Sequence, residues 1–174
     1  LRQRGMDDLT IYAINDHSTD GTYQFLKSLR DSRIVVVNAP DLPEGWLGKP
    51  HALHSGYVAA SMARHDIYIC VDADVELDPY ACVRAVNTLD ARDFISPYPR
   101  QIAITMPERL MQPLLQWSWM SSMLVSLAEK FPHPSTAVAN GQFFLVKAPA
   151  LKALDGFSGI RAEVLDDIRL TKLL

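Results

Sequence analysis

The residues best suited to chemistry here are acidic pairs, one lysine and an Asn-Gly turn, each set beside an apolar run. Tyr68-Ile69-Cys70-Val71-Asp72-Ala73-Asp74 places two aspartates one residue apart, directly after a buried-strand pattern. At the carboxyl edge of an open α/β sheet, such a strand delivers its next residues to the place where ligands bind. Two like charges so close are costly unless a cation or hydrogen bonds neutralise them. Their hard oxygens suit Mg²⁺ or Mn²⁺, which in turn bridge phosphate oxygens. The competing role is capping of a helix that starts near Pro79, for which Asp78 stands closer.

Three further groups accompany this pair. Asn15-Asp16-His17-Ser18-Thr19-Asp20-Gly21-Thr22 also follows a strand pattern. Ser18 or Thr19 suits a helix cap, and Asp16, ahead of them, can accept a hydrogen bond from a base or ribose. Pro43-Glu44-Gly45-Trp46-Leu47-Gly48-Lys49 has two glycines and a lysine before a helix. A ligand can approach such a backbone closely while the lysine meets phosphate or base, although Pro50 breaks the P-loop pattern. Glu163-Val164-Leu165-Asp166-Asp167 puts acids in a first helical turn. The helix dipole alone accounts for acids there, but one of them can also serve as a general base. Asn140-Gly141-Gln142 precedes a strand and is expected to form an acceptor-side loop, or else an ordinary turn. His51 and His54 share a helix face but lack a carboxylate partner at matching spacing, so they read as ordinary histidines.

The elements that must position these groups alternate between strand and helix patterns, as in an α/β sheet with crossovers. Strands are expected at 9–14, 34–37, 67–71, 94–96 and 142–146, the third apolar at every position and so covered on both faces. Helices are expected after Ser18, from the lysine loop to about Arg64, from Pro79 to Leu89, before Gly156, and over 163–174. The uncharged segment 110–128 reaches about 28 Å as a helix, near a bilayer's hydrocarbon thickness. Gln112, Gln116, Ser118, Ser121, Ser122 and Ser126 interrupt it. It reads as a buried or membrane-surface amphipathic helix rather than a span.

A chain of 174 residues, 48% hydrophobic and 21% charged, fits one globular domain over 1–174. The net charge of −3 disfavours a nucleic-acid surface. Cys70 and Cys82 form neither a disulfide framework nor a CxxC site, in keeping with a reducing compartment. No signal-peptide pattern opens the chain, and both ends read as cut from a longer polypeptide.

Taken in order, these features resemble the family 2 glycosyltransferases of the GT-A fold. NDHSTDGT is similar to that family's DDGSTDGT-type segment, VDADVEL to its DxD strand, and LDDIRL to its ED segment. PEGWLGKPHAL resembles the subgroup associated with bacterial hopanoid and carotenoid glycolipid biosynthesis. The resemblance implies a Rossmann-like, mostly parallel sheet sandwiched by helices, with the family's first strand missing before Leu1. It implies an inverting transfer from a nucleotide-sugar, UDP-linked, to a hydroxyl acceptor such as a lipid. Asp16 would hold uracil or ribose, Lys49 the nucleotide, and Asp72 would lie near the ribose. Asp74 would bind Mg²⁺ or Mn²⁺ and through it the diphosphate, and Asp167 would be the base. Asp166 stands where the family has Glu, which leaves both acids as candidates. Membrane attachment at the cytoplasmic face is the matching expectation for the full-length protein.

Two rival readings remain at this stage. Asp72-Ala73-Asp74-Val75 also meets the DxDx[T/V] pattern of haloacid-dehalogenase-type phosphatases, with Asp72 as nucleophile. The other rival is a non-catalytic, membrane-peripheral binding module that uses the 110–128 helix.

Overall fold

The computed structural model describes residues 1–122 and 138–174. Five strands and six α-helices are defined there: β1 (Ile11–Asn15), α1 (Thr22–Ser28), β2 (Ile34–Asn38), α2 (Gly48–Ser61), β3 (Ile67–Val71), α3 (Ala81–Leu89), β4 (Phe94–Ile95), α4 (Met106–Ser122), β5 (Phe143–Lys147), α5 (Ala148–Ala153) and α6 (Asp166–Leu173). A 3₁₀ turn, Ser158–Ile160, lies between the last two. Residues 123–128 of the long apolar segment lie outside the described residues.

The α/β class holds, but the strand directions differ from a mostly parallel sheet. β1 and β2 form a parallel pair in the register Ile11↔Ile34 to Asn15↔Asn38. The other sheet has the order β3-β5-β4, and both of its ladders are antiparallel. β5 enters between β3 and β4 and runs against both, which simple β-α crossovers do not produce. The alternating strand and helix patterns carry no sign of that reversal.

The reversed strand sets the core. Side chains alternate across a strand, so β5 feeds two clusters. Phe144 and Val146 pack with Leu151, Phe157, Ile160 and Leu170 from α5, the 3₁₀ turn and α6. Phe143 and Leu145 pack on the other face with Ala85 and Leu89 of α3. β3 is covered on both faces as expected, with Tyr68 and Cys70 toward the first cluster and Ile67 and Ile69 toward the second. It is only half-buried because it pairs on one side alone. Burial pushes the Cys70 thiol up to about 12, with Asp72 adding to the rise and Lys49 opposing it.

Several helix ends were misplaced by local pattern. The first turn of α1 is closed by Asp20, whose Oδ1 accepts from the Thr22 amide at 3.1 Å and its hydroxyl at 2.6 Å, not by Ser18 or Thr19. α3 begins at Ala81, and Asp78 Oδ1 accepts the Tyr80 amide at 3.0 Å. Asp78 thus shapes the turn ahead of α3, whose first turn has no side-chain cap, and neither Asp72 nor Asp74 caps it. α6 starts at Asp166 rather than Glu163, which instead faces Arg169 at 3.6 Å.

Gly156 ends the α5 turn with φ +67°, and its amide donates to the Leu151 carbonyl at 2.9 Å. A Cβ there would collide with the Tyr57 ring. Gly156→Ala is expected to lose about 2–4 kcal/mol in urea unfolding, from backbone strain and overpacking together. Adding Tyr57→Leu should recover only the packing share, leaving the φ penalty in place.

Candidate active site

Antiparallel pairing explains how distant residues meet. Because β3 and β5 run oppositely, the end of β3 abuts the start of β5. The ladder continues one step further, from the Asp72 amide to the Gln142 carbonyl at 2.9 Å. Asp72 and the Asn140-Gly141-Gln142 loop are thereby neighbours. Ser96, just past β4, fixes that loop from its other side. The Asn140 amide donates to Ser96 Oγ at 2.7 Å, and the Ser96 hydroxyl reaches the Asn140 carbonyl at 2.8 Å. Asn140 Oδ1 in turn accepts the Gln142 amide at 2.9 Å. Sequence reading assigned Ser96 only to a strand; nothing local marks a serine whose partner is 44 positions away.

Lys49 is the hub. Its Nζ lies 3.0 Å from Asp72 Oδ2 and donates to the Gly141 carbonyl at 3.3 Å. The Gly141 amide donates to Asp167 Oδ2 at 2.8 Å. One continuous chain therefore runs Asp72–Lys49–Gly141–Asp167. A Cβ on Gly141 would sit 3.2 Å from Lys49 Nζ and 3.4 Å from Asp167 Oδ2, so glycine permits the approach. Asp167 Oδ1 accepts the Ile168 amide at 2.8 Å, which orients the carboxylate at the start of α6. Asp166 is buried, and burial raises its carboxyl above the usual range; the Lys49 charge opposes the rise and the Asp167 charge adds to it.

Asp16 belongs to the same region. Its Oδ2 lies 3.7 Å from the Cβ position of Gly48, beside Lys49. His17, with φ 56°, turns back so that Nδ1 meets Asp16 at 3.2 Å and Nε2 meets Asp41 at 3.2 Å. This clamp ties the post-β1 turn to the lysine loop and has no separate signal in the sequence. Asp74 is exposed and makes no hydrogen bond or ion pair among the described residues. His51 and His54 stack against Trp46 at 5.8 and 5.0 Å, and His54 Nδ1 accepts the Phe157 amide at 3.3 Å. They serve packing.

No group of three or more His, Cys, Asp or Glu side chains that could hold a metal comes together among the described residues. A small hard cation does not require such a cage. Mg²⁺ takes one or two carboxylates and completes its shell with phosphate oxygens and water. The unpartnered Asp74, beside Asp72 at an open edge, fits that donor set.

An α/β chain with acids, an amide loop and one lysine converging beyond its strand ends has the layout of a group-transfer enzyme. The profile of glycosyl transferase family 2 matches residues 1–155, and the chain belongs to that family. No curated protein and no solved structure gives a significant match. The matched stretch includes Asp16, Lys49, Asp72, Asp74, Asn140 and Gly141, and ends before Asp166 and Asp167. Membership displaces the phosphatase reading of Asp72.

The Asp16 and Asp41 contacts raise the His17 pKa, the Asp16 hydrogen bond contributing most. With a raised folded-state value, the clamp is complete at low pH and is lost as pH rises through that value. Imidazole NMR titration should place the His17 midpoint above 6.5. Asp16→Asn and Asp41→Asn should each lower it, the former by more.

Proposed function

We propose that this glycosyltransferase moves a sugar from a nucleotide-sugar, UDP-linked, to a hydroxyl acceptor with inversion at the anomeric carbon. The observation that carries the reading is the continuous Asp72–Lys49–Gly141–Asp167 chain, which unites the donor-side acids with an oriented carboxylate. Asp16 accepts a hydrogen bond from uracil or ribose, and Asp72 lies near the ribose. Lys49, already half-exposed, turns its charge toward the nucleotide. Asp74 holds Mg²⁺ or Mn²⁺ with the donor's diphosphate. The metal, when bound, supplies positive charge where the departing diphosphate gains negative charge.

Asp167 is the general base. Each of its oxygens accepts one backbone amide, and a carboxylate oxygen has a second lone pair for an acceptor hydroxyl. The hydroxyl loses its proton to Asp167 as its oxygen attacks from the face opposite the nucleotide. Asp166, buried next to it, positions Asp167 and Lys49 rather than meeting the acceptor. Asn140 and Gly141 shape the acceptor side.

A lipid acceptor and attachment at the cytoplasmic face of a membrane complete the proposal. They are supported by the likeness of PEGWLGKPHAL to the glycolipid-forming subgroup. A further strand between β1 and β3 belongs to the same reading. Among the described residues each of those strands has a single ladder partner, and Tyr12 and Tyr68 both contact His65, at 5.7 and 6.2 Å between ring centroids.

Two measurements test the chemistry. Asp167→Asn is expected to cut sugar transfer by at least roughly 100-fold while leaving UDP affinity within about threefold. A variant that keeps turnover removes Asp167 from the role. Calorimetry should show UDP binding tightened by Mn²⁺ in the wild type but not in Asp74→Asn. Equal UDP affinity with and without Mn²⁺ in the wild type would falsify the assignment of Asp74.

A further inference from the structure

Helix α4 is exposed almost all round, its apolar stripe included. A surface helix ordinarily buries its apolar stripe and exposes its polar one. Here Met106, Leu110, Leu114, Trp117 and Met120 are 57–76% exposed. At 3.6 residues per turn they fall within an arc of roughly 120°. Gln112, on the other side, is the one described side chain of the helix that is not exposed, and its Oε1 is enclosed without a partner. Ile102 and Ile104, just ahead of the helix, are also exposed, at 66% and 76%. Among the described residues no helix is long and apolar enough to cross a membrane.

Charge around this face is one-sided. α4 carries one acid, Glu108, whose Oε2 accepts the Ile104 and Thr105 amides at 2.8 and 2.9 Å. With the Glu108 amide reaching back to Thr105 Oγ1 at 3.4 Å, this is a capping box, and the acid's charge is spent on the helix end. Arg100 and Arg109 line a groove with Gln112 and Gln116, and neither arginine forms an ion pair among the described residues. A chain of net charge −3 thus shows two uncompensated cations along the edge of its largest apolar helix face.

We propose that α4 is an interfacial helix. It lies in the plane of an anionic bilayer surface, with Met106, Leu110, Leu114, Trp117 and Met120 among the acyl chains and Arg100 and Arg109 at the headgroups. An apolar stripe edged by cations matches that boundary, and Trp117 suits its amphipathic depth. The inference stands apart from the donor chemistry and needs no turnover. It also has a consequence for the site. Gln101, in the segment leading into α4, donates to Gln142 at 3.4 Å, so that segment touches the loop that holds Gly141.

Sedimentation of the full chain with phosphatidylcholine vesicles, with and without phosphatidylglycerol, tests this. Strong binding is expected only to the anionic vesicles. Leu114→Gln/Trp117→Gln should weaken it at least tenfold, with UDP affinity and the far-UV spectrum unchanged. Arg100→Gln/Arg109→Gln should remove most of its salt dependence. Binding that survives Leu114→Gln/Trp117→Gln overturns the proposal. So does equal binding to both vesicle types, or a chain that self-associates without lipid and dissociates in the Leu114→Gln/Trp117→Gln variant, which would make the face a contact between copies.

Discussion

One ammonium group holds the centre of this molecule together. Asp72, Asp166 and Asp167 come from two elements, and Lys49 lies against or beside all of them. Without it, the acids on either side of the Gly141 loop would have no neighbouring cation to offset their charge. The ion pair with Asp72 is half-exposed, so its worth to stability is small. Its value is positional. The same nitrogen that meets Asp72 also holds the Gly141 carbonyl, and the amide of that glycine orients Asp167. A donor phosphate that draws the lysine away would therefore be felt along the whole chain of contacts.

What brings the Gly141 loop to Lys49 is β5. A strand running against both β3 and β4 brings the loop ahead of it to the end of β3 and next to Ser96. It also supplies both hydrophobic clusters, so the site rests on the best-buried strand of the protein. Gly141 can then be shared between a lysine 92 positions away and an aspartate 26 positions away. This also accounts for Asp167 lying at the site although the family match ends at residue 155.

The strands and the candidate residues were legible in the sequence because each is a local signal. Ile67–Val71 was bounded correctly by its apolar run, and the DxD pair stands out just after it. Partners were not legible. The antiparallel direction of β5, the Ser96 support and the His17 bridge to Asp41 all depend on pairs far apart in the chain, which periodicity does not encode. Helix starts failed for a different reason. Ser18 and Thr19 are good capping residues by type and Glu163 a good first-turn acid, yet Asp20 closes the first turn of α1 and the last helix opens only at Asp166. At α4 the absence of charge drew attention to residue 110, whereas the helix opens earlier, at the Thr105–Glu108 capping box.

The exposure of α4 separates two explanations that composition leaves equal. A Met- and Leu-rich helix can fill a core or meet a lipid surface, and hydropathy does not distinguish them. Here β3, β5 and β4 are already covered by α3 on one face and by α5 and α6 on the other. α4 contributes to neither cluster among the described residues; its apolar ridge is exposed and Gln112 alone is partly enclosed. If an acceptor hydroxyl belongs to a lipid, this arrangement shortens its route. The path would run from the segment ahead of the helix through Gln101 and Gln142 to Gly141, whose amide holds Asp167. In the proposed reading the bilayer plane would fix the approach of the acceptor while Lys49 fixes the donor, so that two reactants are oriented by separate surfaces of one small domain.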